Sequence, residues 1–279
     1  MLEERLQKKY SSLTRSQKKV AAFFLSQGEE AAFLTISHLA RRLKTSEATI
    51  IRFARAAGYQ GYPDLQKELQ DSVRQKISPA RVLQETMVKG KRPDIYSRTF
   101  EVDIHNLHDT KNGNSKEAID RAVREIIDAR RIGVTGFRSS HAMAYLLFFL
   151  LGQVRKNCEL LDITQGSLPN QLIGYNLQDL IIGISFSRYA AQTLDIFKYG
   201  KMAGCKTLAI TDSPISPIGG IADIVLIASS KSSTYFNSFA SSVTLINCLV
   251  AGVSLRSRKS VRRLKAVNQI VDDWKLLIL

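Results

Sequence analysis

Along the first sixty residues the apolar positions recur at helical spacing. In "TRSQKKVAAFFLSQ" (14–27), Val20, Phe23 and Phe24 share a face behind Thr14, a residue type that caps helices. The next stretch, "LTISHLARRLKTSEATIIRFARAAGYQGY", divides into two short helices around the break "LKTS". Thr35 or Ser37 caps the first, with Ile36, Leu39, Ala40 and Leu43 inward. Ser46 caps the second, and Ile50, Phe53, Ala54 and Ala57 form its inner face. Gly58 stands where a glycine ends a helix.

Residues 78–114 are polar and irregular, punctuated by Pro79, Gly90, Pro93 and Gly113, and read as an interdomain connection with helical pieces near 80–88 and 94–109. Beyond them the pattern changes. Short apolar runs at 130–136, 158–162, 179–185, 205–211 and 223–229 alternate with helical segments at 139–155, 168–174, 190–203 and 238–255. Runs such as "DLIIGIS" are apolar on both faces, as strands of a parallel sheet are. The prediction is an all-α N-terminal helix-turn-helix domain (1–77), the connection (78–114), a doubly wound α/β domain (115–255) and a basic C-terminal helix (256–279).

In such a sheet, ligands sit outside the carboxyl ends of the strands. Two hydroxyl-rich turns fall there, "GFRSSHA" after the first strand and "SFSRYA" after the third. Each opens a helix whose first amides favour an anion. Ser139, Ser140, Ser185 and Ser187 are therefore the candidate ligand groups, with Arg138 and Arg188 as charged partners. The competing reading makes these serines plain helix caps.

Charge adds a second partner. The formal net charge is +15, and the excess lies at the ends: residues 1–77 hold 14 basic against 8 acidic residues, and 256–279 hold 7 against 2. A basic head built on a helix-turn-helix points to nucleic acid. On its second helix the outward stripe is Glu47, Ala48, Ile51, Arg52 and Arg55. Arginine reads guanine in the major groove and an apolar group touches the thymine methyl. Thr45, Ser46 and Thr49 would bond phosphates from the helix start. One short recognition helix reads few bases, so a homo-oligomer, dimer or tetramer, is expected.

Cys158, Cys205 and Cys248 lack metal or disulfide spacing and read as buried thiols, which suits a reducing cytoplasm. The N-terminus has no apolar stretch of signal-peptide type. "HAMAYLLFFLLGQV" is too short to span a bilayer and reads as a core helix, so no membrane partner is expected. The tail, with Val267, Ile270, Val271 and Trp274 after a basic run, reads as a terminal helix covering its own domain or a second subunit. No metal, cofactor or catalytic group is assigned; His141 is the one histidine in the sheet-edge loops, and His38, His105 and His108 fall outside the predicted sheet domain.

"LTRSQKKVAAFFL" and "TISHLARRLKTSEATIIRFARAAGYQGYPDLQKEL" closely resemble the N-terminal domain of the RpiR family of bacterial sugar-responsive transcriptional regulators. Residues 115–255 resemble the SIS (sugar isomerase) domain, with Ser139 and Ser140 on its first serine loop and Ser185 and Ser187 on its Ser-x-Ser loop. The second loop departs from many SIS domains, carrying Arg188 and Ala190 in place of Gly and Thr. The resemblance implies a sequence-specific regulator that binds a double-stranded DNA operator. It also implies that a small anionic sugar derivative, a sugar phosphate above all, modulates the DNA affinity. The alternative it leaves is a SIS-type phosphosugar isomerase.

Overall fold

The computed structural model describes residues 5, 6, 9, 10, 13–76, 80, 83, 84, 87, 94–163 and 166–276, in two compact units, 1–91 and 92–279. The expected helical piece at 80–88 lies largely outside the described residues.

The first unit is helical: α1 (Arg15–Ser26), α2 (Gly28–Ala31), α3 (Ile36–Leu43), α4 (Glu47–Ala56) and α5 (Tyr62–Lys76). Its core is the predicted inner face. Val20, Phe24, Leu39, Ile50, Phe53 and Ala54 are buried, and Phe24 stacks on Phe53 with ring centroids 5.6 Å apart. Helix α5 is tied on by hydrogen bonds as well as by packing. The Tyr62 hydroxyl donates to the Leu34 carbonyl at 2.7 Å, and Gln66 and Gln70 donate to Leu34 and Ala32.

The second unit opens with α6 (Ile95–Gly113) and α7 (Lys116–Asp128). It continues through β1 (Ile132–Thr135), α8 (Ser140–Val154), β2 (Cys158–Leu160), α9 (Leu168–Leu172) and β3 (Leu180–Ser185). α10 (Ala191–Met202), β4 (Lys206–Thr211), β5 (Ile224–Ile227), α11 (Ala240–Arg256) and α12 (Arg258–Asp273) complete it. All five strands are parallel, in the order β2-β1-β3-β4-β5. The pleat sorts the core. Leu180, Ile182 and Ile184 of β3 pack with α7, α8 and α11, while Ile181 packs with Phe197 and Ile196 of α10. Gly183 belongs to the second face, where a Cβ would lie 2.4 Å from the Phe197 ring.

Helix α6 starts inside the stretch read as a connection, and it belongs to the second unit rather than lying free between domains. His105 and His108, placed outside this domain by the sequence, therefore lie within it. Its inward residues are polar. Thr99, Asp103, Asn106, Thr110 and Asn114 recur every three or four positions and bond the segment from Ile227 to Ser238. Asn106 donates to the Lys231 carbonyl at 2.7 Å and accepts from Ser229, and Asn114 exchanges two bonds with the Ile227 backbone. The apolar residues Tyr96, Phe100 and Ile104 are exposed instead. A second correction concerns the cysteines: Cys205 is buried as expected, but Cys158 is half-buried and Cys248, on α11, is exposed.

Candidate functional site

In the head, three hydroxyls do what the pattern predicts. Thr14, Thr35 and Ser46 hold extended backbones (ψ 162°, 155° and 152°), and each side chain accepts an amide three residues on. The turn between α3 and α4 is closed by Lys44 in the left-handed region (φ 48°), with the Thr45 amide donating to Ala40. Glu47, Ala48, Arg52 and Arg55 are exposed, and Thr45 and Thr49 are half-buried. Ile51 is half-buried rather than fully outward, because it lies beside the buried Ile50 row. Ser46 and Thr49 are engaged with each other, their oxygens 2.9 Å apart, and Glu47 accepts from Ser37 of α3. The exposed Arg41 and Lys44 stand at the turn and were not singled out; a cation on the turn itself was the available signal.

In the body the strand order, which the sequence left open, sets β1 beside β3 with Thr135 paired to Gly183. The strand sequence reverses direction there, so the two serine turns become neighbours at the crevice where doubly wound sheets bind ligands. They share a geometry. Arg138 and Arg188 each stand three residues beyond their strand, and both have positive φ (57° and 68°), uncommon for a side chain with a Cβ. Gly136 makes the close approach: a Cβ there would lie 2.8 Å from the Ser140 carbonyl oxygen and 3.0 Å from that of Ile184.

Ser140 and Ser185 are buried, Ser187 and Arg188 half-buried, Ser139 and Arg138 exposed. Ser139 does not cap α8. Its backbone is already helical (ψ −27°), so its oxygen makes no bond to the first turn. α10 starts after Ala190 and α11 after Phe239, again with no side-chain cap. Among the described residues, none of the six side chains Arg138, Ser139, Ser140, Ser185, Ser187 and Arg188 has a hydrogen bond or ion pair.

The second turn is held from behind. Asp212, just past β4, accepts the Ser187 amide at 2.9 Å and the Tyr189 hydroxyl at 3.0 Å. Burial pushes the Asp212 carboxyl above the usual carboxylate range, against the pull of those donors. A third segment, 229–239, also reaches the turn: Asn237 donates to the Ser187 carbonyl and Phe239 meets Phe186 edge-on at 5.5 Å. Thr234, Ser241 and Ser242 of this region have buried oxygens without partners. Neither Asp212 nor this serine-rich segment was picked out as site-forming. An acid straight after the strand "KTLAIT" and the run "SSKSSTYFNS" were the signals present.

Cavities of about 290 and 400 Å³ open at the opposite, amino ends of the strands. Their two arginines are held by neighbouring acids. Arg130 grips Asp179 with two bonds, and Arg131 stacks on Tyr175 while pairing with Glu159. The two serine turns, with unengaged hydroxyls and guanidiniums beside helix starts, lie at the carboxyl edge, and that edge is the better candidate.

The comparisons with known proteins divide the same way. The helix-turn-helix domain of the rpiR family matches residues 1–76, and the SIS domain matches residues 125–252. An uncharacterized HTH-type transcriptional regulator of Haemophilus influenzae is 26% identical, over 80% of this chain and 77% of its own. The HTH-type transcriptional regulator HexR of Pseudomonas aeruginosa is 26% identical, over 91% of this chain and 90% of its own. The solved sugar isomerase domain of an RpiR transcription factor from Sphaerobacter thermophilus is 30% identical, covering 63% of this chain and 98% of that one, with a TM-score of 0.60. Vibrio vulnificus NanR, solved in complex with ManNAc-6P, shares the fold at a TM-score of 0.71 and 21% identity, over 98% of this chain and 99% of its own.

Proposed function

The chain belongs to the rpiR family of helix-turn-helix transcriptional regulators, and on that premise we propose that a phosphorylated or otherwise anionic sugar derivative sets its affinity for DNA. It is a regulator with a SIS domain rather than an enzyme. Residues 1–77 are the reading head, with Thr45, Ser46, Glu47, Thr49, Ile51, Arg52 and Arg55 at the operator. Residues 115–255, with α6 packed on them, are the sensor, joined to the head through the part of 78–114 that precedes α6. Two heads on a two-fold operator, half-sites about 10 bp or a multiple apart, make the working unit a homo-oligomer in the cytoplasm.

One observation carries the sensor assignment. At one sheet edge the N-cap residues of α8, α10 and α11 make no side-chain cap, only the Ala240 amide of α11 reaching the Ser238 hydroxyl at 3.4 Å. Beside them stand four serine hydroxyls and two arginines without partners among the described residues. Uncapped amides with nearby guanidiniums suit a phosphate or carboxylate, and the hydroxyls suit a polyol. The sugar phosphate held by NanR supports the phosphorylated member of that class.

The test is a gel shift on the chain's own upstream DNA with a panel of sugar phosphates and sugar acids. A Ser185→Ala/Ser187→Ala chain should bind the DNA as the wild type does and ignore the effector. Coupling between such sites is typically about 1–3 kcal/mol, roughly 5- to 150-fold in affinity. A normal effector response in the double variant places the pocket elsewhere.

A further inference from the structure

Helix α12 carries its charges against its own stability. Arg258 and Lys259 lie in its first turn, where the positive end of the helix dipole disfavours cations, and Asp272 and Asp273 close its last turn, where acids are disfavoured. Arg258, Arg262 and Lys265 recur at i, i+4 and i+7 on one face, a spacing at which like charges repel. No side chain caps the start. No Asp or Glu occurs between Asp223 and Asp272. Arg256 is paired with Asp120, and Arg263 donates to the Gly152 carbonyl. Arg258, Lys259, Arg262 and Lys265 are exposed and, among the described residues, have no carboxylate partner.

The opposite face is taken. α12 packs on α8 and α11, with Leu264 against the core, Ser260 buried and donating to the Val154 carbonyl, and Val267 half-buried. A helix lying on a lipid surface needs its apolar face free for the bilayer. Here Ser260, Leu264 and Val267 face the body, while Val261 and Ile270 stay exposed, contrary to a tail wholly covered by its own domain. Nine residues apart, those two stand on opposite sides of the helix and make no continuous apolar face, and what is presented outward between them is a row of cations.

We infer that Arg258, Lys259, Arg262 and Lys265 form a second, sequence-independent contact surface for the DNA phosphate backbone, separate from the base-reading head. The inference rests on the reading of the chain as a DNA-binding regulator. Phosphate contacts release counterions and steepen the fall of affinity with salt, by about 0.9 in the log–log slope per contact on B-DNA. They add affinity for any duplex without adding discrimination.

The experiment measures operator and random-duplex affinity across a salt series for the wild type, for Lys265→Gln alone, and for the chain with all four cations changed to Gln. The single change should lower the slope by about 0.9 for each protomer on the duplex and the fourfold change by about 2–4 for each, with the operator-to-random ratio at one salt unchanged. Thermal melting at low salt should stay level or rise, since repulsion is removed, whereas a structural role for the four side chains would lower it. An unchanged slope in both variants, with a wild type that does bind DNA, overturns this inference alone. Absence of DNA binding by the wild type overturns the regulator reading with it. An unchanged slope together with loss of binding to vesicles rich in anionic lipid assigns the stripe to a membrane surface and overturns the DNA contact.

Discussion

Helices begin in two ways in this chain. In the head, α1, α3 and α4 each start from a hydroxyl residue in extended conformation whose oxygen turns back onto the first turn. In the body, the long helices that follow β1, β3 and β5 start without that bond, even where a serine stands in the right place. Helices α6 and α7, which follow no strand, are capped in the ordinary manner by Asp94 and Ser115. The helices that follow strands thus lack the cap at one edge of the sheet; α12, which follows α11 rather than a strand, lacks it too. Ser46 and Ser139 are the same residue type in the same sequence position, separated by about 180° in ψ (152° against −27°). The capped serine works for the helix it begins. The uncapped one is kept for something else.

Three measurements would break or sharpen that contrast. The largest effect belongs to the face the head's caps support. Arg52→Ala should cost about 1–3 kcal/mol of operator affinity if it contacts a base, with random-duplex binding little changed. Fluorescence anisotropy on both duplexes reads it, and an equal loss on both would make Arg52 a phosphate contact. Next comes the pair of serines. Ser46→Ala should lower folding stability by about 1 kcal/mol, while Ser139→Ala should lower it by no more than a few tenths, because no cap is lost. Chemical denaturation of the ligand-free protein, following the two units separately, decides it; equal losses would collapse the distinction. The smallest effect concerns Asp212. Its carboxyl binds a proton more tightly in the folded chain than in the unfolded one, so ionising it costs stability. Stability from this group is full below the ordinary carboxylate pKa of 3.8 and declines as pH rises through the raised value. Asp212→Asn keeps an acceptor for the Ser187 amide and removes the titration. The stability difference between variant and wild type should then shift in the variant's favour from pH 4 to pH 7, and a pH-independent difference would remove Asp212 from that role.

Much of the architecture was legible. Val20, Phe24, Ile50 and Phe53 announced the head's core by spacing alone, and five apolar runs announced the strands, because burial of side chains dictates both periods. Strand order was not legible, since β1 and β3 pair across a long crossover that leaves no mark on either run. Which serine caps a helix was not legible either: the choice rests on one backbone angle, ψ, which no residue type dictates. Helix α6 was half seen, because its buried residues are polar while Tyr96, Phe100 and Ile104 are exposed among its charged ones, against the pattern by which helices are found.

That inversion has a mechanical consequence. Two greased apolar faces can slide by an ångström at little cost, because dispersion contacts have no direction. The seat of α6 is toothed instead. Asn106 and Asn114 grip backbone atoms of Ile227 and Lys231, while Thr99, Asp103 and Thr110 engage Ser233, Ser238 and Ser229. These bonds hold only at one axial and rotational setting, and the next equivalent setting lies a full turn, about 5.4 Å, away. A shift of the 227–238 segment must therefore carry the helix with it or strip several teeth at once, so helix and segment form a rack and pinion with very little backlash.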